Sequence, residues 1–481
     1  MPQRKFYIID PNSQPADGII SYKNGNTNLA FNIQESDTEF LIGSSVKLCF
    51  KFVIRDGTDA ETVAQQVYVS PQCGLHGLFS SISVHSYSTN QQISNINNYP
   101  RLVSTILSNG LADRYDADSG QQQAGISRGF EYNSSNVGIY GATSPTLLQS
   151  YSIRPYVGSL MAVNWYLGST LKNGCGGLKI NFTLASDGSA LTAQGTANTA
   201  FTYELQEVKL MYQTYVGTEE EQMAGRLRND YVKSYTDSVR EQENRQPSGA
   251  EINQNWQSVV SQGANNPAPV RWRDYTNYLT TIQSDNANVS LQLGLSKVHS
   301  IFANFVASSY INNITTVNAD SNKTYAIYDT TPDQVPWDRI TMTKGGELFP
   351  AKFTLSTNVK TNNYQAADDH TADRRAEVVK YYLDSVMPYV DNKYQQGSSE
   401  NTLWFDQHNP SVKEDFIGDK CAGIGTGQLS VLDGSSDFTF EPLGLQVDSD
   451  NQGTFANTTA FIYALAERRA DFTNGTIAVS S

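Results

Sequence analysis

The segment at residues 199–207, Thr-Ala-Phe-Thr-Tyr-Glu-Leu-Gln-Glu, returns at 459–467 as Thr-Ala-Phe-Ile-Tyr-Ala-Leu-Ala-Glu. Both copies read T-A-F-x-Y-x-L-x-E. Phe, Tyr and Leu alternate with other residues, the period of a strand with one buried face. A second match precedes each copy. Gly177-Leu178-Lys179-Ile180 and Gly444-Leu445-Gln446-Val447 both read G-L-x-[IV], and a polar loop follows each, shorter in the second copy. Two matched strands in the same order predict two copies of one fold in a single chain.

A chain of 481 residues has room for more than one domain. Only 17% of its residues are charged, and Asn, Gln, Ser, Thr, Gly and Tyr take up the difference. That mix fits β-sandwiches with long uncharged loops and excludes a coiled coil or a disordered chain. The formal net charge of −14 argues against binding to nucleic acid through phosphate neutralisation. The four cysteines, Cys49, Cys73, Cys175 and Cys421, form no CxxC pair and are too few for a disulfide scaffold, so synthesis in a reducing compartment is expected. Cys49 sits in an apolar run and is expected to be a buried thiol. Met1-Pro2-Gln3-Arg4-Lys5-Phe6 has no long apolar run behind it, which predicts no signal peptide, and no stretch has the length of a transmembrane segment.

Along the chain, residues 1–35 read as an arm or edge strand, and 40–53 and 78–85 as strands. Residues 99–110 read as a short capped helix. A polar loop follows at 110–147, and strands resume at 148–156, 160–167 and 178–184. Within the first repeat the phase slips: Phe201, Tyr203 and Leu205 give way to Val208, Leu210 and Tyr212, which predicts a β-bulge at Gln206-Glu207. Thr218-Glu219-Glu220-Glu221 starts a predicted helix whose stripe of Met223, Leu227, Tyr231, Tyr235 and Val239 serves either internal packing or a subunit contact. Residues 241–270 are the best linker. The second half restarts near Arg271, with strands expected at 289–295, 298–306, 340–342, 351–355, 438–447, 459–472 and 476–479. A helix is expected at 371–387 and a polar loop at 391–428. Asn474-Gly475 signals a hairpin turn. Gly294-Leu295 with Ile301-Phe302-x-x-Phe305 echoes Gly74-Leu75 with Leu78-Phe79-x-x-Ile82. The fold class is all-β: two tandem eight-stranded jelly-roll β-sandwiches with a few short helices in the connections. The expected division is 1–216, first jelly roll; 217–270, helix and polar linker; 271–481, second jelly roll.

No set of residues makes an active site, and no catalytic, cofactor-binding or metal-ligating residue is assigned. His76, His85, His299, His370 and His408 are scattered. Cys73-x-x-His76 lacks the second pair that a zinc site needs. Asp368, Asp369, His370 and Asp373 fit a solvated helix start better than a cation site. Gly423-x-Gly425-x-Gly427 lacks the Lys and Ser/Thr of a phosphate loop and reads as a flexible turn. Gly125-Ile126-Ser127-Arg128-Gly129 matches a nucleophile elbow as a string, without its strand and helix. Asp333 and Asp338 are an acidic pair of the kind that flanks glycosidic bonds, though surface acids are the plainer reading. Trp165, Trp256, Trp272, Trp337 and Trp404 form no cluster in sequence, which fits core and interface filling better than a sugar platform. The N-x-[ST] matches at Asn181, Asn313 and Asn457 are expected by chance in so Asn-rich a chain.

Leu78-Phe79-Ser80-Ser81-Ile82-Ser83-Val84, leading into Asn98-Tyr99-Pro100-Arg101-Leu102-Val103, resembles the strand-then-helix segment of double jelly-roll major capsid proteins of small eukaryotic DNA viruses, of the polinton-like virus and virophage type. The run from Gly444 through Ala464-Leu465-Ala466-Glu467-Arg468-Arg469 to Val479 resembles that family's closing strands, and residues 289–306 resemble the start of its second barrel. The loops at 110–147 and 391–428 match nothing in it. The resemblance implies a major capsid protein of an icosahedral double-stranded DNA virus, made inside the infected cell and located in the virion capsid. It implies homotrimeric, pseudo-hexagonal capsomers that contact neighbouring capsomers and minor capsid and penton proteins. It implies no enzyme activity, no cofactor and no sequence-specific nucleic-acid partner. The rival readings are a tandem β-sandwich carbohydrate-binding or adhesin protein, and a carbohydrate-active enzyme with paired carboxylates.

Overall fold

The computed structural model describes residues 3–55, 67–69, 73–103, 149–172, 174–193, 202–216, 235–236, 239, 243, 245–254, 270–283, 286–307, 339–348, 355–356, 421–425, 436–448, 458–473 and 475–481. The first thirteen strands are β1 (Gln3–Ile9), β2 (Ile19–Ile20), β3 (Asn28–Ile33), β4 (Glu39–Ile42), β5 (Lys47–Arg55), β6 (Val67–Val69), β7 (Phe79–Ser86), β8 (Gln92–Asn97), β9 (Gln149–Ile153), β10 (Asn164–Tyr166), β11 (Leu178–Leu184), β12 (Leu191–Ala193) and β13 (Thr202–Val216). The rest are β14 (Val270–Ile282), β15 (Asn286–Leu291), β16 (Leu295–Ala307), β17 (Arg339–Lys344), β18 (Glu347–Leu348), β19 (Leu355–Ser356), β20 (Cys421–Gly425), β21 (Ser436–Phe438), β22 (Leu443–Asp448), β23 (Thr458–Thr473) and β24 (Thr476–Ser480).

The two halves pair in the same way. In the first, β1, β13, β5 and β9 are successive neighbours in one sheet, and β3, β11, β7 and β8 in the other. In the second, the corresponding sheets run β14, β23, β16, β20 and β15, β22, β17, β18. The closing strand lies between two earlier strands in each half, β13 between β1 and β5 and β23 between β14 and β16, the Greek-key order of a jelly roll. β4 continues β5 across the 3-10 turn Gly43–Ser45, at the Gly-Ser-Ser break visible in the sequence. Inside the first barrel Leu178, Ile180, Phe182 and Leu184 point inward, as their alternation predicts. Phe182 meets Phe31 and Phe79 edge-on at 6.0 and 5.4 Å, and Phe79 meets Phe50 at 6.2 Å, tying the two sheets together.

The closing strands carry the repeat, β13 in the first barrel and β23 in the second. The G-L-x-[IV] strands β11 and β22 lie in the opposite sheets. Gly177 adopts φ 74°, where a Cβ would also press on the Ile33 carbonyl; Gly444 is extended, and a Cβ there would meet the Thr343 hydroxyl. The slip in β13 is a bulge: pairing with β5 shifts between Gln206 and Lys209, and Glu207 takes φ 51°.

Several expectations need correction. The reading of one buried face holds for the first repeat only. In β23 both faces are buried: Ala460, Ile462, Ala464 and Ala466 fill the second barrel's own core, while Phe461, Tyr463 and Leu465 join the core shared with the first barrel. The aligned residues of the first copy, Tyr203 and Leu205, face their own barrel. The echo between 74–82 and 294–305 does not mark equivalent strands, because β16 pairs with β23 as β5 pairs with β13, whereas β7 pairs with β11. Strand β14, absent from the sequence reading, spans Val270–Ile282; its Thr, Asn and Asp positions hide the alternation. Residues 158–161 form a helical turn, Gly158–Met161, rather than part of a strand at 160–167, and only Asn164–Tyr166 pairs. Residues 439–442 turn between β21 and β22. Cys49 is half-buried, because Leu48, Phe50 and Phe52 take the inner face of β5; among the described side chains Cys73 and Cys175 are the buried thiols. The 241–270 segment includes a helical turn at 249–254, where Ser248 and Glu251 bond reciprocally as a capping box.

Candidate functional site: the seam between the barrels

None of the sequence-predicted chemistry assembles among the described residues. His76 lies in the 3-10 turn Gly74–Leu78, fully buried beside Tyr99 and Tyr156. The Tyr99 hydroxyl accepts the Tyr156 N–H at 3.0 Å and contacts His76 Nδ1 at 2.9 Å. Burial pushes the imidazole down to about 3. His76 is thus a neutral core histidine rather than half of a metal pair, and no group of three potential metal ligands occurs among the described residues. Gly423 and Gly425 belong to strand β20, paired with Phe302 and Ser300 of β16, so they form neither a phosphate cradle nor a turn, and 421–425 is not loop. The Gly125–Gly129 string, Asp333, Asp338, the 368–373 cluster, His370, His408, Trp256, Trp337 and Trp404 lie outside the described residues, as do the loop at 110–147 and the helix at 371–387. Of the 223–239 stripe, Tyr235 and Val239 are helical, and Val239 is buried. Among the described residues no helix is long and apolar enough to cross a membrane.

What the fold does assemble is a seam. Trp165 of the first barrel meets Trp272 of the second, ring centroids 5.5 Å apart and edge to face, and both are buried. A sugar platform would expose these rings. Arg101, on the helical segment that starts at Tyr99, lies 4.5 Å above the Phe461 ring. That cation–π contact is shielded from water and contributes about 2 kcal/mol. The Tyr463 hydroxyl donates to the Asn98 carbonyl at 3.1 Å, and Asn98 Nδ2 donates to Asn277 Oδ1 at 2.7 Å.

Asp274 of β14 is the charged centre of the seam. Its Oδ2 accepts from the Ser94 hydroxyl, and its Oδ1 accepts from the Gly158 N–H at 3.1 Å and the Tyr275 N–H at 3.0 Å. Burial pushes its carboxyl above the usual range, against the pull of those donors and of Arg468. Sequence reasoning missed Asp274, Ser94, Arg101 and Tyr463. The usable signal was apolar residues on both parities of 460–466, since a strand that is apolar on both faces is covered on both.

A second network lies where β1, β4 and β13 meet. Glu39 accepts from Lys5 Nζ at 2.6 Å, Tyr7 Oη at 2.8 Å and Thr214 Oγ1 at 2.8 Å. Burial opposes its ionisation, but the three donors outweigh it and hold the carboxyl below the usual range. Tyr7 stacks on Tyr212 at 5.1 Å. This network anchors β1 to the barrel and leaves Phe6 and Ile8 on the outer face.

No family model matches the chain, and no curated protein does. Solved structures do. The Faustovirus major capsid protein aligns with a TM-score of 0.54 at 8% identity, over 98% of this chain and 91% of that one. A chain of the Sputnik virophage structure aligns at 0.49 with 9% identity, over 99% and 88%. A chain of the capsid of the virus PBCV-1 aligns at 0.48 with 11% identity, over 100% and 97%. The Faustovirus alignment shows the fold: the chain is a double jelly roll, as the resemblance in sequence implied.

Proposed function

We propose that this chain is the major capsid protein of an icosahedral DNA virus, a building protein without an active site. The observation that carries the reading is a fold match along nearly the whole chain, both barrels in order, to a major capsid protein. Fold alone does not dictate function. Here it is joined by buried contacts that fasten the two barrels together, Ser94 to Asp274, Tyr463 to Asn98 and Arg101 over Phe461. On this reading residues 1–216 and 271–481 are the two building units, 217–270 joins them, and the chain works as a homotrimer in which six similar barrels present near-equivalent sides to neighbouring capsomers. Minor capsid and penton proteins are its further partners, the virion shell is its location, and the infected cell is its site of synthesis.

Light scattering on the purified protein tests this. The expected mass is three times the chain's 53.0 kDa, and negative-stain images should show hexagonal outlines or curved sheets. A strictly monomeric mass across micromolar concentrations would sink the reading.

A further inference from the structure

We propose that His76 is an acid-operated latch on the seam: when its imidazole takes up a proton, the two arms by which the first barrel grips the second let go together. The device belongs to the joint between the barrels and does not depend on what the chain builds.

The first barrel reaches the seam through two short arms. One is Asn98–Arg101. The Asn98 carbonyl accepts the Tyr463 hydroxyl and the N–H groups of Arg101 and Leu102, its side chain bonds Asn277, and Arg101 lies over Phe461. The other arm is 156–158, where the Gly158 N–H donates to Asp274. One hydroxyl ties the arms together from behind. Tyr99 sits in the first arm, and its Oη accepts the Tyr156 N–H of the second. His76 is wedged against both. Its Nδ1 lies 2.9 Å from that same hydroxyl, and its ring packs 5.8 Å from Tyr99 and 5.4 Å from Tyr156. The first arm also has a hinge: Asn98 adopts φ 52°, a left-handed conformation that side chains other than glycine disfavour, so its bonds hold it there.

The neutral imidazole fits this place and the imidazolium does not. A neutral ring has one donor and one acceptor nitrogen, whereas a charged one has two donors. His76 is fully buried, and its Nε2 has no hydrogen-bond partner among the described residues. The groups around it do not balance a positive charge. Tyr99 and Tyr156 offer hydroxyls, and Cys73, just before the 3-10 turn, a buried thiol. Asp187, in the helical turn Asp187–Ala190 packed on the same 3-10 turn, accepts the Tyr203 N–H at 3.0 Å. Strand β6, also packed there, carries no acid, and Arg101 adds a second cation to the Tyr99 arm. Burial pushes the His76 value from 6.5 down to about 3, so an open joint with the ring in water binds a proton that the closed joint refuses. The opening constant then rises by up to about tenfold per pH unit as pH falls below 6.5.

Hydrogen exchange between pH 7 and pH 4, corrected for the pH dependence of free amides, tests the latch. The amides to follow are Arg101, Leu102, Tyr156 and Gly158, with Leu48, Phe50 and Phe52 of β5 as the reference for the barrel itself. In wild type the arm amides should lose protection together, by up to about tenfold per pH unit, while the β5 amides keep theirs. The variant His76→Gln cannot take the charge and should remove that slope. An even loss of protection with the slope unchanged would mean a merely structural role and would overturn the latch. Tyr99→Phe deletes the tie and should lower Gly158 protection roughly tenfold at pH 7 already; unchanged protection there would overturn it too. Should His76→Gln fail to fold, wild type decides: arm amides that stay protected at pH 4, or that are lost only together with β5, overturn the proposal.

Discussion

Asp274 and His76 show how much a single side chain means only through what surrounds it. Asp274 accepts hydrogen bonds from two elements of the other barrel, yet its folded carboxyl is pushed up by burial. Above its ordinary value of 3.8 the folded chain therefore holds more proton than the unfolded one, and ionisation of this group works against folding as pH rises through its folded value. Asp274→Asn keeps an acceptor for the Gly158 and Tyr275 N–H groups and offers Ser94 a donor. We expect urea unfolding at pH 7 to find this variant at least as stable as wild type. Asp274→Ala leaves those donors buried and unpaired and should cost about 1–3 kcal/mol. His76 has the opposite sign. Its folded value lies near 3 against 6.5 ordinarily, so the unfolded chain binds the extra proton and stability falls as pH drops from 6.5 towards 3. The His76→Gln variant should flatten the dependence of the urea midpoint between pH 7 and 5, by up to about 1.4 kcal/mol per pH unit. In the sequence, His76 is one member of an incomplete Cys-x-x-His spacing and Asp274 one acid among 48. Burial of either is a property of the packed barrels, which one-dimensional spacing does not carry.

The two closing strands share a motif but not an orientation. Side chains alternate along a strand, so an odd offset between sequence alignment and structural alignment exchanges the faces. That happens between Tyr203-x-Leu205, which faces its own core, and Tyr463-x-Leu465, which faces the other barrel. The small residues Ala464 and Ala466 then fill the inner positions of the second barrel. The bulge in β13 was legible, because a break in alternation is written in the residues themselves. Glu207 at φ 51° gives a sharp test. Glu207→Gly should be neutral or stabilising by up to about 1 kcal/mol, while Glu207→Val should destabilise, since a β-branched residue resists the left-handed region. Deleting Glu207 should prevent soluble folding, because it forces Val208 and Leu210 out of the core or breaks the β13–β5 pairing. Strand β14 was not legible: an edge strand whose faces meet two different barrels has no simple period to read.

At the scale of the molecule, one continuous core runs from the first barrel through Trp272, Tyr275, Phe461, Tyr463 and Leu465 into the second, and a smaller core lies within the second barrel alone. Barrels that share a core should not melt independently. Calorimetry should show one cooperative transition for the full chain. Tyr463→Asp, which places a charge in the seam, should split or broaden it; two resolved transitions in wild type would refute the coupling.

The amino-acid sequence by itself determined the strand content, the doubling and the bulge, because alternation, repetition and spacing are local and survive in one dimension. Only the tertiary structure decided which face of each closing strand meets which barrel, that Asp274 and Arg101 belong to a seam, and that Phe6 and Ile8 of β1 stay exposed while Trp272 and Tyr275 of β14 are covered. The physical reason is that burial is a relation between distant segments. A strand records its period of two in its own residues, but what lies above and below it is supplied by chain hundreds of positions away.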